Sequence, residues 1–274
     1  SLRGRRHPAA LPPGWWRSPA PLQEAAAPLL LLSTHNNPNY HHWLTLPGLA
    51  PLMLQEHFAL EPPAGLSLAL SSPPGRPQPA FVAPLLELLA PGVPLLAGPS
   101  LSASRLRFAL QEHHSAVVVS PALLAWWRRR RAALMPPTAG PRRRWLISRQ
   151  GARARRCLNE AALLRALEPL GFALLVPEML TPAQQLQAFA AAEVVVGAHG
   201  AGLTNVVACR AGATLVELLP EEGPFNHYFL MASVLGLRHA HLIGERPDPA
   251  SQDFVVDPQR LLELLERCGL EVER

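Results

Sequence analysis

The sequence has no lysine: all 25 residues of its Lys+Arg total are arginine. With its abundant Ala, Leu and Pro, this reads as codon bias from a GC-rich genome, and it discounts the formal net charge of +5 as a sign of function. Charge of either sign is scarce, at 16% of residues against 49% apolar, which excludes a disordered chain. Cysteine is nearly missing. Cys157, Cys209 and Cys268 lie far apart, and no pair has metal-ligand spacing, so a zinc-ligand set and a disulfide framework are both excluded and a reducing compartment is expected. Long apolar runs are lacking too. The longest near the N-terminus, Leu29 to Leu32, is far too short to span a bilayer, and no signal-peptide pattern is visible. The expected location is the cytoplasm, with the inner face of the membrane as an open site of contact. Neither GxGxxG nor a P-loop occurs, which sets aside a nucleotide-dependent oxidoreductase.

What is present begins with length. A chain of 274 residues suits one large domain or two small ones. Its 31 prolines punctuate apolar runs instead of forming one tract. Residues 1 to 27 have no period and read as an irregular entry segment. Strands are expected at "PLLLLSTH", "LSLALSS", "VPLLAG", "RLRFAL" and "SAVVVS", with helices from His41 to Phe58, over "FVAPLLELLA" and over "ALLAWWRRRRAAL". "MPPTAGPRRR" is the best linker. Two domains follow, 28–135 and 136–274. Beyond the linker, strands at "RWLISR", "GFALLVP", "EVVVGA", "ATLVELLP" and "RHAHLI" alternate with helices, one of them capped by Thr181 with Pro182 at its first position. That rhythm predicts parallel βαβ units in an α/β fold, with apolar strands covered on both faces.

Chemistry is concentrated in three stretches. "GAHGAGLTN", Gly197 to Asn205, follows a strand and opens a helix, where ligands of open α/β sheets bind. Gly200 and Gly202 admit close approach to the backbone, and the helix N-terminus favours an anion. His199 is placed to donate to a phosphate, while Asn205 either binds ligand or caps the helix. In "WLISRQGARARRCLNE", Arg149 ends a strand and Arg153, Arg155 and Arg156 lead into a helix, a placement suited either to a bidentate diphosphate clamp or to plain surface. "STHNNPNYHHWL" crowds His35, His41 and His42 after a strand. Adjacent His41 and His42 cannot share one helix face, which favours a polar active-site loop over a metal site. The arginine runs Arg128 to Arg131 and Arg142 to Arg144 suit a solvated helix end and strand edge, or a membrane surface. No aromatic or glycine pattern of an RNA-binding module accompanies them, so nucleic acid is not expected as a partner.

In this order the three stretches resemble glycosyltransferase family 61, including its bacterial capsular-polysaccharide-type branch. The family's Asn-Tyr-x-His-Trp element stands here as Asn39, Tyr40, His41, His42 and Trp43. Its Ser-Arg strand end with later Arg and Asn-Glu stands as Ser148, Arg149, Arg155, Asn159 and Glu160. Its Gly-x-His-Gly-Ala-Gly-Leu-Thr-Asn runs intact from Gly197 to Asn205, and a later strand ends in Glu217. The resemblance implies two Rossmann-like lobes of the GT-B type. It further implies a nucleotide-sugar donor, usually a UDP-sugar, on the C-terminal lobe, a glycan or lipid-linked acceptor from the N-terminal lobe, inversion at the anomeric carbon, and no metal or other cofactor. It assigns the donor to Ser148, Arg149, Arg155, Gly200, Ala201, Gly202, Leu203, Thr204, Asn205 and Glu217. Glu217 would take the ribose hydroxyls, or else serve as a cap or salt-bridge partner. His42 is the candidate base, and His199 touches phosphate or sugar. One departure stands out. The acid that usually follows His-Trp ahead of Leu-Pro is absent, and Gly48 replaces the usual Arg. A nucleotide-sugar-binding protein without turnover is the alternative.

Overall fold

The computed structural model describes residues 23–25, 27–32, 39–57, 67–71, 78–98, 101–108, 120–135, 142–221 and 226–270. Among them, two larger parallel sheets hold nine of the strands, and β1 (Gln23–Glu24) and β5 (Leu101–Ser102) form a small third one. The first joins β2 (Leu29–Leu32), β3 (Ser67–Ser71), β4 (Leu95–Gly98) and β6 (Leu106–Arg107) in the order β4-β3-β2-β6. The second joins β7 (Arg143–Ile147), β8 (Phe172–Leu175), β9 (Ala192–Ala198), β10 (Thr214–Leu219) and β11 (Arg238–Ile243) in the order β11-β10-β9-β7-β8. Every pairing between these strands is parallel, and the strands alternate with helices. This is an α/β architecture with parallel sheets, as the strand–helix rhythm of the sequence predicts.

Local chemistry explains the elements. Thr181 and Gln184 form a reciprocal capping box at the start of α6 (Pro182–Ala190), with Pro182 supplying a pre-set φ. Ser120 caps α4 (Pro121–Leu134) by accepting from the Leu123 amide. Asn39 does the same for α1 (Tyr40–Leu44), accepting from the His41 amide at 3.0 Å. β9 and β10 are almost wholly buried, as expected of central parallel strands covered on both faces.

Some expectations change. Gln23–Glu24, within the supposed irregular segment, forms a short strand, β1, parallel to β5 (Leu101–Ser102). The helix expected from His41 onward is α1 followed by α2 (Leu46–His57), broken at Thr45. After the glycine turn the chain winds as a 3-10 helix over Ala201–Ala208, tighter than an α-helix. The strand expected at "SAVVVS" and the middle of the linker, 136–141, lie outside the described residues, as do His35 and residues 1–22.

The lobes share one core. Trp43, Leu49, Trp126 and Trp127 of the first lobe belong to the same buried cluster as Leu203, Val206 and Tyr228 of the second. Trp127 donates its indole N–H to the Leu44 carbonyl at 2.9 Å. A second cluster lies beyond the C-terminal sheet, where α5 (Glu160–Leu167) and α8 (Pro258–Arg267) cover Leu146, Val194 and Val216.

Candidate active site

The C-terminal ends of β7, β8 and β9 lie on one edge, because the strands are parallel. Arg149 leaves β7 there, and Gly200 leaves β9. A Cβ on Gly200 would overlap the Arg149 guanidinium, so the close approach that this glycine permits is made by the protein's own arginine. Arg149 Nε donates to the Ala154 carbonyl at 3.1 Å. Burial, and then the like charge of Arg155, lower the Arg149 pKa, although a guanidinium stays charged throughout the ordinary pH range. Arg155 adopts a left-handed backbone, with φ of 58°. Its charge acts on Arg149, His227 and Tyr228. Two cations near each other at strand ends make a site for a dianion.

The arginine loop is held from a distance. Asp253 accepts from the Arg156 backbone N–H at 2.8 Å and from its guanidinium at 2.9 and 2.6 Å. The Arg156 guanidinium holds the Asp253 carboxyl below the usual carboxylate range. The Phe254 N–H donates to the Arg156 carbonyl and the Leu158 N–H to the Phe254 carbonyl, and Asn159 bonds both the amide and the carbonyl of Val256.

Behind the glycine turn lies a buried chain, His199–Glu217–His239. One Glu217 oxygen accepts from His199 Nδ1, and the other from His239 Nε2 at 3.2 Å. Burial pushes the Glu217 carboxyl upward, but the hydrogen bonds from the two histidines outweigh it and leave the pKa below its ordinary value. The ionised carboxylate therefore holds His199 in the Nδ1–H form, with Nε2 directed away from it. His227, at the start of α7 (His227–Leu235), stacks on His41 with ring centroids 5.7 Å apart, and lies 5.6 Å from His199. Burial, then the nearby His199, lowers the His227 pKa. His42 is half-buried, 5.8 Å from His41 by ring centroid, and its charge also reaches His227.

The remaining residues assigned to the donor are packed into the protein. Ser148 is buried and bonds Glu160 at 2.8 Å, tying the strand end to α5. Leu203, Thr204, Asn205 and Glu217 are each 0% exposed. Thr204 Oγ1 meets His41 Nδ1 at 2.7 Å and the Tyr228 hydroxyl at 3.2 Å. Asn205 accepts from the Tyr40 hydroxyl at 2.8 Å and donates to Gln185 and the Gly202 carbonyl. The second half of "GAHGAGLTN" thus ties the lobes together. Arg149 and Gly200 meet at the strand ends, His199 and His42 flank the His41–His227 pair, and a Cβ on Gly202 would lie against Pro177. Tyr228, whose hydroxyl donates to the Gly200 carbonyl, escaped the sequence reading, as did His227, His239 and Asp253. A His-Tyr pair opening an apolar helix was the available signal for the first two; Asp253 had none. Burial pushes the Cys157 thiol up to about 11 and the Cys209 thiol up to about 12, which leaves neither as a thiolate nucleophile. Among the described residues no group of three His, Cys, Asp or Glu side chains is arranged to hold a metal ion.

Residues 40–216 match the family described as Glycosyltransferase 61. The chain belongs to glycosyltransferase family 61. A beta-1,2-xylosyltransferase of Arabidopsis thaliana is 36% identical over 87 residues, which is 31% of this chain and 15% of that protein. The chain therefore matches only a small part of that relative's length. Among solved structures, an E. coli ADP-heptose lipopolysaccharide heptosyltransferase II matches 88% of this chain and 98% of its own, at 12% identity and a TM-score of 0.46. An iron-containing dodecameric glycosyltransferase of enterotoxigenic E. coli matches 72% of this chain and 58% of its own, at 11% identity and a TM-score of 0.35.

Proposed function

We propose that this family 61 chain is an inverting glycosyltransferase that moves a sugar from a nucleotide-sugar donor, a UDP-sugar first among them, to a glycan or glycoconjugate hydroxyl. The observation that carries the reading is Arg149 laid across Gly200 with Arg155 beside it. The acceptor oxygen attacks the anomeric carbon. The bond from that carbon to the diphosphate oxygen breaks, and the nucleoside diphosphate leaves with the electron pair. Arg149 and Arg155 then neutralise the growing charge, helped by the backbone of Gly200, Ala201 and Gly202. The acceptor's proton passes to an imidazole on the N-terminal side, for which His42 is the candidate. His199, fixed by Glu217, contacts the phosphate or the transferred sugar. Two guanidiniums do here what a divalent cation does at other diphosphate sites, so EDTA is expected to leave the rate unchanged.

A second reading, nucleotide-sugar binding without turnover, is favoured by "WLTLPG", where the family's acid is missing. The purified protein is incubated with a panel of nucleotide sugars, and release of nucleoside diphosphate is followed with and without EDTA. Release from one donor supports transfer. Binding without release supports the second reading. Neither binding nor release from any donor removes the donor-site assignment.

A further inference from the structure

The arginine runs set aside in the sequence fall together in the fold. Parallel strands put all their N-terminal ends on one edge, and in the second sheet this edge lies opposite the candidate site. Arg144, Val194, Thr214 and Arg238 form one cross-strand row there. Arg143 opens β7 ahead of that row with Arg142 just before the strand, and Arg210 precedes the row on the turn into β10. From the first lobe, α4 brings the other run to the same level. Arg128 reaches the Val234 carbonyl at the end of α7, and Arg131 donates to the Cys209 carbonyl at 3.0 Å. Burial, then the charges of Arg210 and Arg128, lower the Arg131 pKa. Arg128, Arg142, Arg143, Arg210 and Arg238 are exposed. Among the described residues, Arg128, Arg131, Arg210 and Arg238 form no ion pair with a carboxylate. Arg144 does, with Glu193 at 3.7 Å, and Arg130 pairs with Glu56.

We propose that this arginine rim, at the strand N-termini of the second sheet, docks on an anionic membrane surface through lipid phosphates. Two sequence runs and two isolated arginines, from both lobes, supply charge of one sign to one edge, and the complementary partner is an extended sheet of negative charge. The exposed aromatics Phe108 and Phe229 are not part of the rim: Phe108 follows β6 in the first lobe, and Phe229 lies in the first turn of α7, at the site end. Among the described residues the rim thus has no stacking platform of the kind that single-stranded nucleic acid uses. Docking by this edge turns the candidate site away from the bilayer, by about 20 Å for a seven-residue strand such as β9. The acceptor hydroxyl is then met at a distance from the lipid surface.

The test is co-sedimentation with phosphatidylcholine vesicles, with and without phosphatidylglycerol. The intact chain is expected to pellet only with the anionic vesicles and to be released by salt. Each rim arginine is worth about fivefold in partitioning, so R128A/R143A/R210A should lose about a hundredfold. Arg260→Ala, an exposed arginine in the first turn of α8, should pellet as the parent does. Arg210→Glu, a single exposed change, gives the same direction if the triple variant folds poorly. A parent that ignores anionic vesicles overturns the proposal, as do rim variants that pellet undiminished. Duplex DNA held more tightly than the vesicles at equal salt overturns it in favour of nucleic acid.

Discussion

At the scale of single residues, Gly200 and Arg149 form one unit. The guanidinium occupies the space that any side chain at position 200 would need. Gly200→Ala should therefore behave like Arg149→Ala, because both take the cation off its seat. Each is expected to weaken UDP binding by about 2 kcal/mol, or about thirtyfold, as calorimetric titration would measure. Unchanged affinity in the glycine variant would separate the two residues. Glu217 is the second such position. Its carboxyl pKa is depressed in the fold, so it contributes stability above the ordinary carboxylate range and loses it as pH falls through the folded value. His227 acts with the same sign: its depressed pKa means that the unfolded chain takes up its proton first as pH falls below about 6.5. Urea midpoints should thus decline from about pH 7 toward about pH 4, and Glu217→Gln should flatten the lower part of that decline. An equally steep acid limb in the variant would mean that another carboxylate sets it.

At the scale of elements, the 253–256 segment and the arginine loop depend on each other. Arg155 keeps its left-handed backbone between Arg149 and a neighbour, Arg156, that Asp253 grips at both main chain and side chain. Asp253→Ala should lower UDP affinity by about tenfold, and should have no further effect once Arg155 is already alanine. Additive losses in the double variant would mean that Asp253 acts by a separate route. This pairing also marks the limit of what the sequence discloses. The strands and helices of the C-terminal half are legible because hydrophobic periodicity and caps such as Thr181-Pro182 are local signals. Arg149 and Gly200 are legible because strand-end arginines and glycine turns carry their chemistry in the chain itself. Asp253 is not, since it meets Arg156 across 97 positions and nothing near it marks the partner. The contacts of Thr204 and Asn205 are hidden for a related reason: the 3-10 winding turns them toward Tyr40 and His41, more than 160 positions away.

For the molecule as a whole, the second lobe carries Arg149 and Arg155, and the first lobe meets its residue 201–208 turn through α1. A ligand that binds only the folded chain raises its melting temperature by mass action. UDP at about a hundred times its dissociation constant should add about 2.7 kcal/mol, or about 6 °C for a chain of this size. The rise should disappear in Arg149→Ala. A shift retained there would place the nucleotide elsewhere.

The shared core has a consequence for recombination. Trp43, Trp126, Leu203 and Tyr228 pack into one cluster, so the two sheets are not interchangeable cassettes. A chimera cut at the 136–141 connection, giving this second lobe a foreign first lobe, would leave Leu203 and Val206 facing unmatched side chains. Any exchange of lobes therefore has to carry α1, α4 and the residue 201–208 turn together, as one block.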